Sequence, residues 1–219
     1  MARHGRTRAG RWPVQVRFEC GLTGEEYVTQ QAWRNASLPV CPLHPRGGCS
    51  YTRHGTYERL SPPGTRIARW YCPQGHCTIS LLPDCLAARL PGTLVELEAL
   101  LVQVEQASSL AEACTDLRPE IELPGVVRWV RRRVQAVYST LILLKGLMPA
   151  VFQACEPTRQ SFACHLGVDP VLPALRSIAA PWLSSLPPPL GLRPRQRHPD
   201  PANDRHQHSV GPDPPPSFP

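Results

Sequence analysis

The chain has 219 residues, a net charge of +7, 42% hydrophobic residues but only 6% aromatics, and 27 prolines. That composition speaks against one large core and for two small ordered parts with a disordered tail. The basic start, MARHGRTRAGRWP, leads into no apolar run, so no secretory signal is expected and the nine cysteines are those of a cytoplasmic chain, where thiols hold metal more readily than disulfides.

Lys145 is the only lysine among the 24 basic residues. Arginine suits bidentate contacts to phosphate and guanine, although GC-rich coding produces the same bias, so charge alone decides nothing. The longest greasy stretch, Leu141 to Phe152, is broken by Lys145, Gly146 and Pro149 and is too short to span a bilayer, so no membrane partner is expected.

Residues 1–37 read as an N-terminal extension. Val14, Val16 and Phe18 alternate with polar residues as a short strand does. Thr23 and Glu26 form a capping-box pattern that opens a helix running to about Trp33.

Residues 38–92 carry the densest signal. Two Cys-Pro turns, at Cys41 and Cys72, flank two strands, Tyr51 to Leu60 and Thr65 to Tyr71, joined by Ser61-Pro62-Pro63-Gly64; a third strand, Thr78 to Leu82, leaves the second turn. This is the layout of a zinc ribbon, in which two knuckles close on one tetrahedral ion. Cys41 and Cys72 are the firmest ligands. Either His44, at the tight two-residue spacing, or Cys49 completes the first knuckle; either Cys77 or His76 completes the second. Soft sulfur favours Cys41, Cys49, Cys72 and Cys77 around one structural Zn2+, with His44 and His76 as alternates. No Glu stands in a catalytic zinc pattern. Cys85, Cys114, Cys155 and Cys164 lie on apolar stretches and read as small core residues.

Residues 93–148 read as a helical region. Leu94, Leu97, Leu101 and Val104 fall on one face of a helix from Thr93 to Gln106, with Glu96, Glu98 and Glu105 displaced from it. Ser108 and Ser109 cap a short helix, Leu110 to Leu117. A long helix runs from about Val126 to Leu147: Val126, Val130, Val134, Val137, Leu141 and Leu144 form its buried stripe, and Arg128, Arg131, Arg132 and Gln135 share the opposite face. Helix, short helix, turn, basic helix is helix-turn-helix order, with arginine placed for guanine or phosphate. The turn from Pro119 to Gly125 is longer than that motif's usual one, and the same arginines would also serve to solvate the helix and pair with its acidic neighbours. In the ribbon, Arg53, Arg66 and Arg69 beside Tyr51, Tyr57 and Trp70 offer a second route to a phosphate backbone, unless the aromatics are simply the ribbon's own core. Residues 149–186 read as a weakly ordered helical extension, with pieces at 157–166 and 170–185, and 187–219 as a disordered proline-rich tail.

The phrases CPLHPRGGC, RHGTYER, TRIARWYCP and SLLPDCLAARLPG resemble an uncharacterised group of bacterial zinc-ribbon proteins. These in turn look like the zinc-ribbon and helix-turn-helix heads of insertion-sequence transposases. The likeness covers about residues 38–92 and, more loosely, reaches 145. It implies DNA binding and a transposition-related partner or a homodimer. A complete transposase needs three spaced carboxylates on a sheet. Here Glu156, Asp169, Asp200, Asp204 and Asp213 lie in short proline-broken segments, so no enzyme is expected. The expectation is therefore an α+β chain: a small zinc-ribbon β module, a three-helix region and a tail, binding DNA. The alternative is a protein–protein adaptor that dimerises through its helices.

Overall fold

The computed structural model describes residues 14–117 and 123–192. It is a mixed α+β fold in which a four-stranded sheet is covered by helices. The strands are β1 (Val14–Phe18), β2 (Thr52–Glu58), β3 (Arg66–Cys72) and β4 (Cys77–Pro83), in the order β1-β4-β3-β2. β2, β3 and β4 form an antiparallel meander, and β1 joins its far edge parallel to β4, with Val14 opposite Ile79 and Phe18 opposite Pro83. The N-terminal strand is therefore part of the same sheet as β2, β3 and β4 rather than a separate extension. Its addition leaves β4 paired on both sides, which suits the near-continuous apolar run Ile79-Ser80-Leu81-Leu82.

The helix opened by the capping box at Thr23 is shorter than its pattern suggests. α1 (Gly24–Thr29) ends where Gln31 turns left-handed, with φ 49°, and a single 3-10 turn, Ala32–Arg34, follows. That break carries Trp33 into the core beside Tyr27. α2 (Leu94–Gln106) starts from a complete capping box between Thr93 and Glu96. α3 (Leu110–Leu117) follows as expected, and α4 (Leu123–Leu147) starts three residues before Val126, taking in Pro124 and Gly125 that the sequence assigned to the turn. α2, α3 and α4 share a small core of Leu100, Cys114, Val126 and Val130, against which Trp129 packs.

The remaining helices are α5 (Pro149–Phe152), α6 (Arg159–Leu166) and α7 (Val171–Ile178). They do not hang from the fold. Phe152, Phe162, Val171, Leu172, Leu175 and Leu186 belong to one continuous core with Tyr27, Ile67, Leu82 and Leu94. The expected pair of small separate cores thus gives way to one main core, built from leucine, valine, alanine and cysteine where aromatics are scarce. The start of the expected proline-rich tail belongs to the fold: Leu190 is fully buried, and the Ala88 N–H donates to the Pro189 carbonyl at 2.9 Å. The rest of the expected tail, 193–219, lies outside the described residues.

Two buried charges tie the late helices to the early elements. Arg176 of α7, 2% exposed, donates to the main-chain carbonyls of Asp84, Leu86, Pro189 and Leu190, which joins the exit of β4 to the end of the described chain. Glu98 of α2, also 2% exposed, accepts from the N–H groups of Val171 and Leu172 at the start of α7 and from Arg159 of α6. Among the described residues, no helix is long and apolar enough to cross a membrane.

Candidate metal centre

The knuckle at Cys41 is a tight turn. The His44 N–H donates to the Cys41 carbonyl at 3.0 Å, which brings the two side chains to the same side. The chain then reverses through Gly47 and Gly48, whose φ values of 80° and 85° any residue with a Cβ adopts only under strain, and so returns Cys49 to the site. The second knuckle follows the end of β3, where the Gly75 N–H points at the Cys72 sulfur from 3.3 Å.

These turns gather Cys41, His44, Cys49 and Cys72, whose ligand atoms all lie within 4.8 Å of one another. Cys41 and Cys72 are buried, and Cys49 and His44 are half-buried. The His44 Nδ1 lies 3.4 Å from the Cys72 Sγ and 3.6 Å from the Cys41 Sγ. The cluster can hold one metal ion. In its absence, burial pushes the Cys41 thiol up, but bonds from His44, Leu43, Cys49 and Cys72 outweigh that and bring it down to about 7. Burial and the neighbouring thiols push Cys49 up to about 11. Crowded thiols that divide their protons in this way are those a cation would organise.

The gathered set differs from the all-sulfur quartet expected from softness. Cys77 is the first residue of β4, paired directly across from Cys72, and its sulfur turns to the Thr78 carbonyl at 3.5 Å. His44 takes the fourth position instead, because the Cys41 turn already aims it there. His76, the other alternate, is exposed at the hairpin tip with φ 45°.

The arginines divide into two groups. Arg53 is committed internally: its guanidinium donates to the carbonyls of Trp33, Arg34 and Ala36 and lies 5.2 Å from the Trp70 ring centroid. Arg66 pairs with Glu58 at 3.2 Å on the surface. Arg69 lies over Tyr57, in a polar recess lined also by Gln15, Thr78 and Ser80. Arg128, Arg131, Arg132 and Gln135 are all exposed along α4. Arg133, next in the run, is buried and stacked 3.8 Å from the Trp129 ring centroid. Three acidic residues of α2 and α3 are occupied elsewhere: Glu96 and Glu112 cap their own helices, and Glu98 holds α6 and α7.

No family model, curated protein or solved structure matches this chain.

Proposed function

We propose that the chain is a non-enzymatic, zinc-stabilised DNA-binding protein, related to transposase heads as its ribbon phrases suggest. The Cys3His quartet is the observation that carries the reading. A tetrahedral zinc with bonds of about 2.3 Å to sulfur and 2.0–2.1 Å to nitrogen separates a sulfur from a nitrogen ligand by about 3.6 Å. The two measured separations, 3.4 and 3.6 Å, fit that edge. Four protein ligands close the coordination shell and leave no position for substrate, so the ion is structural.

The DNA contact rests on α4, whose arginines and Gln135 face outward while its apolar stripe is buried. Replacing Arg128, Arg131 and Arg132 with alanine is expected to weaken DNA binding at unchanged zinc content. The slope of log affinity against log salt should become shallower by about 2–3. Unchanged affinity and slope would move the interface off this helix.

One observation favours the adaptor reading. Tyr138, Ile142 and Leu143, further along α4, are between 41% and 47% exposed, an apolar surface suited to a second copy or another protein. Salt-insensitive self-association that Ile142→Asp abolishes, with no DNA affinity, would support that alternative.

A further inference from the structure

We propose that Cys20 and Cys85 form a peroxide-responsive dithiol, with Cys20 as the attacking thiolate and Cys85 as the resolving thiol. The placement follows from the sheet. β1 and β4 run parallel with Phe18 opposite Pro83, and the Asp84 N–H continues the ladder to the Phe18 carbonyl at 3.1 Å. The strands end there and the chain turns, with the Leu86 N–H donating to the Pro83 carbonyl at 3.1 Å, but Glu19 and Gly21 on one side and Asp84 and Cys85 on the other still line one cleft, which places Cys20 and Cys85 at adjacent strand exits. Neighbouring strands lie about 4.8 Å apart, within the Cα separation a disulfide requires. Both thiols are free.

The surroundings suit a nucleophile. The Cys85 thiol donates to the Cys20 sulfur, and the main-chain N–H groups of Leu22 and Asp84 add to this, which brings Cys20 down to about 6. Cys85 is held protonated by the same bond and by burial. Cys20 is half-buried and so reachable by solute, and Cys85 lines a cleft of about 770 Å³ walled by Leu22, Val28, Pro62, Val95 and Pro173. The pair is remote in sequence from the four metal ligands and separate from their cluster.

The chemistry balances in two steps. The Cys20 thiolate attacks one oxygen of hydrogen peroxide; the O–O bond breaks, hydroxide leaves, and Cys20 becomes a sulfenic acid. The Cys85 sulfur then attacks the Cys20 sulfur, an S–S bond forms, and the sulfenic oxygen leaves as water with the Cys85 proton. Two electrons pass from the thiols to the peroxide, and the exits of β1 and β4 become stapled.

The test uses the full metal-loaded chain, treated with about two equivalents of hydrogen peroxide, blocked with N-ethylmaleimide, digested and mapped by mass, with metal content read on the same sample. The expected result is a Cys20–Cys85 cross-linked peptide that forms before any disulfide among Cys41, Cys49 and Cys72. In Cys85→Ser, dimedone should trap a sulfenic acid at Cys20. At pH 6, Cys20 should be alkylated on the order of ten-fold faster in the folded than in the urea-unfolded chain, its greater ionisation outweighing its lower intrinsic nucleophilicity. Both thiols still reduced at a peroxide dose that already ejects the metal would overturn the proposal. So would equal alkylation rates in the folded and unfolded chain. A chain that binds no metal yet forms the cross-link would refute the zinc reading and leave this one standing.

Discussion

Glu98 offers the sharpest energetic prediction. Its carboxylate is buried, yet it accepts from the Val171 N–H at 2.7 Å, the Leu172 N–H at 2.8 Å and the Arg159 Nε at 2.9 Å. One side chain therefore satisfies the first turn of α7 and the charge of Arg159, whose own side chain is 12% exposed. Glu98→Ala removes the acceptor and leaves two main-chain donors and a mostly buried guanidinium without it. Breaking a buried ion pair from one side costs about 3–5 kcal/mol, and the abandoned N–H groups belong to the same loss rather than adding to it. For a chain of this length that corresponds to a fall in Tm of roughly 6–20 °C. Thermal and urea unfolding of the metal-loaded protein, followed by circular dichroism, would measure it. The exposed Glu25→Ala control should stay within about 0.5 kcal/mol. Glu98→Leu combined with Arg159→Met should be less damaging than the sum of the two single changes, since neither buried charge is then left alone and Asp169, the other partner of Arg159, is exposed to solvent. A loss below about 1 kcal/mol for Glu98→Ala would refute the claim that this carboxylate joins α2, α6 and α7.

Other outcomes follow from the same contacts. His44→Ala should lose the metal at nanomolar free zinc, whereas Cys77→Ser should retain one ion per chain; retention in the first and loss in the second, read by elemental analysis, would restore the all-sulfur quartet. Thr93→Ala removes a side-chain cap and should cost about 1 kcal/mol in urea titration, with no change in metal content. Metal loading requires deprotonated thiols and a neutral His44, so acidification should release the ion as these groups take up protons. A chromophoric chelator should therefore show loading that is complete at neutral pH and falls as pH drops, and loading that holds constant down to pH 4 would contradict ligation by these side chains.

Most strands and helices were legible because their signals are local: the alternation of Val14, Val16 and Phe18 in β1, the Pro-Pro-Gly turn between β2 and β3, the capping box at Thr23, and the valine stripe of α4. What escaped the sequence depended on distant partners. Glu98, read as displaced from the apolar face, is in fact buried with it, four residues after Leu94 and three before Leu101, and only α6 and α7, some seventy residues on, make a carboxylate tolerable there. A charge on that stripe was the signal that could have been read. In the same way Arg176 reads as a surface residue until the loop after β4 and the 189–190 segment surround it with carbonyls. Half of the metal quartet was firm, because Cys-Pro marks a turn. The alternatives were posed within each knuckle, His44 or Cys49 and Cys77 or His76, whereas the structure gathers both candidates of the first knuckle and neither of the second, because hairpin register places Cys77 in the β4 ladder. Cys20 gave no local sign at all; only the parallel pairing of β1 with β4 brings it to Cys85. Arg53 shows the opposite failure: its neighbours suggested a basic surface, and its guanidinium is engaged by the turn around Trp33.

The central claim is that Cys41, His44, Cys49 and Cys72 hold one structural zinc. Elemental analysis of the purified full chain before and after exhaustive chelation, with circular dichroism on the same samples, tests it most directly. The account predicts one zinc per chain and loss of the β2–β4 meander's structure when the ion is removed, restored when zinc is returned. A chain that carries no metal, or gives it up with no change in its spectrum, would contradict the account.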